Sequence, residues 1–485
     1  MLETLPREIL LYDILNLLDS TSLIKLSFVS KCFYRLANDE FIWKKLCAQE
    51  FNISQDNAFR NKGWKKFYQR LKYHAKVLTW GENADDRLGL GDKPAYNVAA
   101  QTDFMPANPR LRMPRFTQRY PAQVTVPQEV LSLANKHIID ISSGGWSFYA
   151  LDISGSVYMW GTMQADISYR SSVGTTRLRL PTLLQENNQT QQKVQFHSIS
   201  SGRGHAIGLA RDGSVWHWSN HVMLQRVELN TDDSIVQVAA NWNYSSVLTS
   251  TGKVYTVPKP DLIIPSEIEN EPQATQIVTS GISTMQLLNE EDMIVQIVGL
   301  DGWTLALTQS GRVLKIATLD QDKLNNQPME CVVELTHFSS AGNEHNSRKS
   351  VMHRFLTGSF RNFAVYTKDK VMIGNVDATS DTEPTRLSEL DNHDVCKVSF
   401  GDYHTGALTS QGKLLTWGNY SSGALGHGNI SQEYQPIPKC VEALNDKFVF
   451  AIGFGGWQSS VLAITRVEDD DDAAAAAVVD GINLD

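Results

Sequence analysis

G-D-Y-H-T-G-A-L-T-S-Q-G-K-L-L-T-W-G, residues 401–418, carries the pattern that decides the fold: Gly401, Leu408, Gly412 and the pair Trp417-Gly418. Short apolar runs punctuated by Gly read as β strands joined by tight turns. The same spacing recurs as Gly144, Leu151, Gly155 and Trp160-Gly161, and as Gly202, Leu209, Gly213 and Trp218. Weaker copies run Asn241, Leu248, Gly252, Val257; Leu300, Leu307, Gly311, Ile316; and Gly358, Val365, Asp369, Gly374. Two half-copies remain, Val77-Leu78-Thr79-Trp80-Gly81 at the start and Gly455-Gly456-Trp457 with Leu462 at the end, so six full copies become seven when the halves are joined. A missing half at each end is the mark of a closed ring, because the last strands then complete the first blade and leave no open edge. Residues 76–466 divide into seven units of about 56 residues, room for four strands and their turns. The expectation is a mainly β chain, a seven-bladed β-propeller with a small α-helical domain before it. Within each unit the Gly positions serve tight turns and the Trp rings fill space between blades, a structural role.

Working outward, residues 1–48 change period. Ile9, Leu10, Ile14, Leu15 and Leu18, then Leu23, Leu26, Val29, Phe33 and Leu36, then Phe41, Trp43 and Leu46 recur at helical spacing, which fits three short helices. Pro6 suits a first turn, and Asp19, Ser20, Thr21 and Ser22 offer N-cap oxygens for the second helix. So short a segment cannot bury all these side chains by itself, so part of its apolar surface is expected to face a partner. Residues 49–75 read as a helical linker through Trp64, Phe67, Tyr68 and Leu71, and residues 467–485, with Glu468 to Asp472 followed by five Ala, as an acidic, disordered tail.

Composition excludes several classes of function. The 485 residues are 42% apolar and 20% charged, enough for a large core, and 44 Lys plus Arg against 53 Asp plus Glu give a formal charge of -9, which offers no field for nucleic acid. Cys32, Cys47, Cys331, Cys396 and Cys440 are odd in number and lack a CxxC pair, so reduced thiols are expected rather than a disulfide framework or zinc site. Neither a secretory signal nor an apolar run of membrane-spanning length is legible. The expectation is a soluble protein of the cytoplasm, the nucleus or both, with no membrane contact.

The order of residues in the first segment is specific: Leu5-Pro6-x-Glu8-Ile9-Leu10, Ile14-Leu15, Leu18-Asp19, Leu23, Leu26, Val29-Ser30-Lys31, Phe33, Leu36-Ala37, Asp39 and Trp43-Lys44-x-Leu46. It resembles the F-box along its whole length, with Phe33 where many F-boxes carry Trp. That resemblance implies docking on the Skp adaptor of a cullin-RING ubiquitin ligase, through Leu5, Pro6, Ile9, Leu10, Ile14, Leu18, Leu26, Val29 and Phe33. Leu88-Gly89-Leu90-Gly91 and Leu425-Gly426-His427-Gly428, each after Trp-Gly-x-Asn or a near variant, resemble the regulator of chromosome condensation family, seven-bladed propellers. Blades three to five depart from that family, with Val257, Ile316 and Gly374 in place of Trp and no Leu-Gly-x-Gly tail. The combination resembles the fungal SCF-associated F-box factors, substrate receptors of ubiquitin ligases, which implies the purine-salvage enzyme adenine deaminase as the protein targeted for proteasomal degradation.

Catalytic motifs are missing from the sequence: no GxSxG, HExxH, GxxxxGK[ST] or EF-hand loop. His217 and His221 are four apart, but on a β segment and its turn rather than one helical face, which argues against a metal site. His205 and His404 share one repeat position and read as packed core residues. The run from Ser410 to Trp417 has a likeness to propeller quinoproteins, but no acidic cluster accompanies it. The chain is therefore read as non-enzymatic, with no catalytic residue, no metal and no cofactor. Its expected function is substrate recognition in an SCF (Skp-cullin-F-box) E3 ligase, and the alternative is nucleotide exchange on, or scaffolding of, a small GTPase. Candidate substrate contacts are Arg110, Arg112, Arg115, Phe116, Arg119 and Tyr120, in a Pro-rich irregular stretch spanning residues 92–136. Lesser candidates are the loops Glu267 to Glu271 and Ser339 to Lys349.

Overall fold

The computed structural model describes residues 5–51, 53, 63–84, 87–91, 120–163, 176–177, 182–184, 191–219, 224–260, 278–280, 283–285, 292–318, 328–339, 355–367, 370–391, 393–429 and 432–466. The N-terminal part is helical. A run from Arg7 widens to π geometry over Leu10–Ile14 and tightens to 3-10 geometry over Leu15–Leu17. Helix Ser20–Ser27 is capped by Asp19, whose carboxylate accepts from the Ser22 amide at 2.6 Å; the Ser22 bonds hold that carboxyl below its ordinary value. The middle one of the three expected helices is in fact two. Ser30 accepts from the Phe33 amide at 3.2 Å and starts a separate helix, Lys31–Ala37, so a side-chain oxygen breaks what apolar spacing alone joined. Helices Glu40–Phe51 and Trp64–Tyr73 follow, and the second buries Trp64, Phe67, Tyr68 and Leu71 on one side.

Seven sheets of four or five strands, antiparallel but for one added strand, make the ring. Blade 1 holds Ile138–Ser143, Ser147–Asp152, Val157–Gly161 and Thr176–Arg177. Blades 2 to 6 begin with Phe196–Ser201, Ile235–Ala240, Ile294–Gly299, Phe355–Ser359 and Val395–Phe400. Blade 2 gains a fifth strand, because Val278–Ser280 pairs in parallel with Gln225–Glu228 and covers that edge. Blade 7 joins the two ends of the chain. Lys76–Glu82 lies between Gln123–Glu129 and Gln458–Thr465, with Val77 opposite Leu462 and Leu78 opposite Glu129, and Lys447–Gly455 completes the sheet. The ring is therefore closed by pairing the N-terminal strands with the C-terminal ones, as the half-repeats required.

The repeat residues have identifiable work. Gly81 and Gly418 sit at φ +108° and +111°, and a Cβ at either would strike the Trp457 or Tyr403 carbonyl of the neighbouring turn. The Leu-Gly-x-Gly tails lie on the Trp of the next blade: a Cβ at Gly89 would come within 2.7 Å of Trp160, and one at Gly426 within 2.9 Å of Trp80. The preceding threonines pin these tails, Thr79 Oγ1 donating to the Leu88 carbonyl at 2.8 Å and Thr416 Oγ1 to that of Leu425 at 2.7 Å. Trp80 itself is fully buried and donates to the Ala424 carbonyl at 2.7 Å, so blade 6 and blade 7 share one packed seam.

The first strands of all seven blades surround a central channel of about 380 Å³, lined mostly by small and polar side chains such as Ser142, Ser200, Gln237, Gln296 and Ser399. Strand direction gives the channel two unlike ends. At one, each first strand turns into its second; at the other, the first strands begin, and there the helical domain sits.

Candidate functional site

The helical domain turns some apolar side chains inwards and leaves others in water. Leu10, Leu15, Leu23, Phe33, Leu36, Ile42 and Trp43 are buried in its core. Leu17, Phe28 and Val29 are 80%, 82% and 67% exposed, and Leu5, Ile9, Tyr12 and Tyr34 are also exposed. Large apolar groups at such exposure, on so small a domain, mark an interaction surface. Among the nine residues singled out for the adaptor, Leu5, Pro6, Ile9 and Val29 lie on the surface and Ile14, Leu18 and Leu26 are half-buried. Leu10 and Phe33 are buried by the domain itself. Sequence reading passed over Leu17, Phe28 and Tyr34; the signal was the apolar character carried round the helices, beyond the stripe a core needs.

This surface is fixed to the propeller by an aromatic joint. Phe51 meets Phe450 edge-on at 5.9 Å, Phe67 meets Phe448 at 5.3 Å, and Tyr73 meets His137 at 5.3 Å. Arg70 donates to the Thr465 carbonyl at the end of the closing sheet. The buried side chains run as one core from Leu10 through Trp43 and Leu71 to Val461 and Ile464. Behind the joint, Tyr68 Oη donates to Glu50 at 2.5 Å and Lys72 Nζ donates to Ser20 Oγ at 2.7 Å. Burial raises the Tyr68 phenol and lowers the Lys72 ammonium. Rigid helices packed through aromatic anchors leave little freedom between the two parts.

The opposite end of the ring is a different surface. Its turns present half-buried Trp146, Trp242, Trp303 and Trp457 and exposed Tyr403, with Tyr403 and Trp457 parallel at 6.5 Å. At the axis lies Arg203. Its guanidinium is 4.1 Å from the ring centre of Trp146, 4.6 Å from Trp242 and 5.2 Å from Phe360, and Nη1 donates to both oxygens of Asp402 at 2.8 and 2.9 Å. One side chain of blade 2 thereby touches blades 1, 3, 5 and 6.

Most of the substrate contacts read from sequence, Arg110, Arg112, Arg115, Phe116 and Arg119, lie outside the described residues. Tyr120 is half-buried and packs against the main core. Of the flanks of this stretch, Ala122 is placed: its carbonyl accepts from the Asn83 amide at 2.7 Å, and the Glu82 amide donates to the Trp457 carbonyl at 3.0 Å, which sets Ala122 near the Arg203 end of the ring. The loop Glu267 to Glu271 also lies outside the described residues, as does the loop Ser339 to Lys349 beyond Ser339 itself.

Three buried histidines have side-chain partners in the sheets. His205 Nε2 is 3.0 Å from Ser245 Oγ, His404 Nε2 is 2.8 Å from Ser459 Oγ, and His217 Nε2 is 3.1 Å from Gln225 Oε1, all buried. Burial pushes His205 down to about 3 and His404 down to about 4, so both are neutral in the fold. His221 lies outside the described residues, and no group of three or more metal-ligating side chains occurs among the described residues. Burial also drives the Cys396 thiol up to about 12 and raises Cys47, the reverse of what a nucleophile needs.

The two histidines set an acid limit on stability. Their folded values lie below the ordinary 6.5, so the unfolded chain takes up protons first; their contribution is complete above about pH 6.5 and is lost as pH falls towards about 4 for His404 and about 3 for His205. The melting temperature is expected to drop between pH 7 and pH 4.5, and the double change His205→Gln with His404→Gln to make that slope shallower. An identical slope in both proteins, followed calorimetrically, would show that these imidazoles are not the groups involved.

An F-box-like family model matches residues 2–49, and models of the regulator of chromosome condensation (RCC1) repeat match residues 395–424 and 411–462. F-box protein pof9 of Schizosaccharomyces pombe is 23% identical over 488 residues, which cover 94% of this chain and 89% of that protein. SCF-associated factor 1 of Saccharomyces cerevisiae is 24% identical over 319 residues, 58% of this chain and 44% of that protein. The human E3 ubiquitin-protein ligase HERC2 is 22% identical over 400 residues, which are 79% of this chain and 8% of that much longer protein. Among solved structures, the crystal structure of human WBSCR16 superposes with a TM-score of 0.56 at 17% identity over 81% of this chain and 100% of that one, a likeness of fold. No helix among the described residues is long and apolar enough to cross a membrane. The chain thus carries an F-box-like segment at residues 2–49 ahead of a seven-bladed β-propeller, in which residues 395–462 match the regulator of chromosome condensation repeat.

Proposed function

We propose that this chain is the substrate-recognition subunit of an SCF-type E3 ubiquitin ligase. Residues 1–48 dock on a Skp adaptor and through it on a cullin-RING core, residues 49–75 join the two parts, and the propeller of residues 76–466 holds the protein to be ubiquitinated. The observation that carries this reading is the placement of exposed Leu5, Ile9, Leu17, Phe28 and Val29 on a helical domain locked by Phe51, Phe67, Phe448 and Phe450 to one end of the ring. The other end, where Trp146, Trp242 and Tyr403 lie, is assigned to the target. Such an arrangement makes no bond and breaks none. It converts ubiquitin transfer into a step between tethered partners, at effective concentrations of about a millimolar for short spans. The likeness to two fungal proteins whose names carry F-box or SCF supports the assignment; adenine deaminase is a target implied by the sequence resemblance alone. The propeller's likeness to the human regulator of chromosome condensation, 22% identical over 425 residues, makes exchange on or scaffolding of a small GTPase the competing reading.

The direct test is the double change Leu5→Ala with Pro6→Ala. Losing apolar anchors from an interface core costs about 2 kcal/mol or more, so co-elution with purified Skp adaptor should fall more than tenfold while propeller melting stays unchanged. Undiminished co-elution would remove this surface as the docking site. The Arg-rich stretch is assigned a share in target capture. Changing Arg110, Arg112, Arg115 and Arg119 together to Ser is expected to slow target turnover without altering adaptor binding, whereas single changes, each worth about 0 to 1 kcal/mol, should show little. Normal turnover by the fourfold variant would make the stretch a connector.

A further inference from the structure

Arg203 occupies the axis of the ring at the end away from the helical domain, where a side chain closing the channel could be merely structural. Three features point further. First, its hydrogen bonding is lopsided: Nη1 takes both oxygens of Asp402, while Nε is buried without an acceptor and Nη2 has none among the described residues. A planar guanidinium ordinarily satisfies a carboxylate through two nitrogens, so this one retains donor capacity. Second, Arg203 is stacked on indole rings as well as paired with a carboxylate, whereas several other propeller cations are recorded in carboxylate pairs. Arg312 is held by Glu334 and Asp292, Lys253 by Asp233, Arg87 by Glu82, and Arg361 lies beside Asp301 and Asp377. Third, the walls around Arg203 are half-buried indoles, Trp146 and Trp242, with Tyr403 and Trp457 beyond them, the residue types that dominate interface energetics.

We propose that this collar is a docking site for an acidic segment of the captured protein, one of its Asp or Glu carboxylates accepting from Arg203 Nη2 while neighbouring apolar side chains rest on Trp146 and Trp242. Donor geometry selects the occupant: Arg203 can only donate, so a carboxylate can accept from its unused Nη2 while an incoming ammonium or guanidinium cannot. Asp402 acts as the resident competitor, keeping Arg203 oriented and holding down its affinity in the empty state. The inference rests on the substrate-receptor reading, to which it adds the chemistry of what is recognised.

The test uses the full chain bound to its adaptor, labelled, on an array of decapeptides whose central positions are Asp/Glu, Lys/Arg, or Ser/Asn. Retention by the acidic set is expected to exceed that by the basic set at least about tenfold and to weaken with salt. Arg203→Lys keeps the charge but loses the planar fork, and should cost the acidic set about tenfold. Since Arg203 touches four other blades, the deciding variant is Asp402→Asn, which preserves shape, leaves the aromatic walls in place and frees the guanidinium. It should bind acidic peptides several-fold tighter than the parent. Equal retention of acidic and basic sets, or no gain with Asp402→Asn, overturns the proposal, as does finding that the collar instead joins two copies of this chain, seen as a dimer that Arg203→Lys dissociates. Adaptor co-elution is measured on the same preparations. Its loss with acidic capture intact defeats the receptor reading and leaves the collar standing, whereas its retention with acidic capture absent defeats only the collar.

Discussion

A chain ended after Val449 is expected to lose the propeller altogether. The cut removes the greater part of strand Lys447–Gly455 and all of Gln458–Thr465, so Lys76–Glu82, which pairs with the latter from Lys76 to Gly81, is left with an open edge. It also takes Phe450, Ile452, Phe454, Val461, Leu462 and Ile464 out of the core, each nearly fully buried. At about 1.5–3 kcal/mol for each large apolar side chain, the loss reaches the whole net stability of an ordinary domain, about 5–15 kcal/mol. Aggregation, or absence of a cooperative melting transition, is the expected result. A chain ended at Arg466 keeps all four strands of the closing sheet and should melt with the parent. Equal melting temperatures for the short and full chains would contradict ring closure.

The second large effect is expected in the helical domain. Trp43 is 1% exposed, donates from Nε1 to the Ala37 carbonyl at 2.8 Å, and meets Tyr68 edge-on at 5.1 Å, so it ties helix Lys31–Ala37 to both later helices. Truncating a buried Trp to Ala costs about 3–5 kcal/mol, more than so small a domain can spare. Trp43→Ala should abolish adaptor binding and open residues 5–51 to limited proteolysis. Because the core continues across Phe67 and Phe448, the propeller should still melt cooperatively but at a lower temperature. A variant that resists protease and binds adaptor like the parent would show that Trp43 is not the keystone of the domain.

These expectations grow from residues whose meaning was legible before any coordinates. The Gly and Trp spacing announced the ring because a turn that needs positive φ and a seam that needs a large ring recur in each blade, and half-repeats at the two ends announced its closure. Less legible was whatever depends on contacts between distant segments. Ser30 broke a helix through one side-chain oxygen inside an unbroken apolar rhythm. Arg203 and Asp402 are 199 residues apart, and the rings around Arg203 come from three further blades, so no local motif could assemble the collar. The position after the leading residue of the repeat is charged in three copies, Arg203, Asp301 and Asp402, and nothing local says which of them pair. For the docking surface, the motif named Leu10 and Phe33 by position, but only packing shows that these two support the surface from within while Leu17 and Phe28 stand out from it.

The central claim, that the helical domain recruits a ligase to whatever the propeller holds, is tested most directly by affinity purification of the tagged full chain from cells, with mass spectrometry of what accompanies it. The account predicts a Skp adaptor and a cullin in stoichiometric amounts, both lost from the Leu5→Ala, Pro6→Ala variant. Recovery of a small GTPase with neither adaptor nor cullin would contradict it.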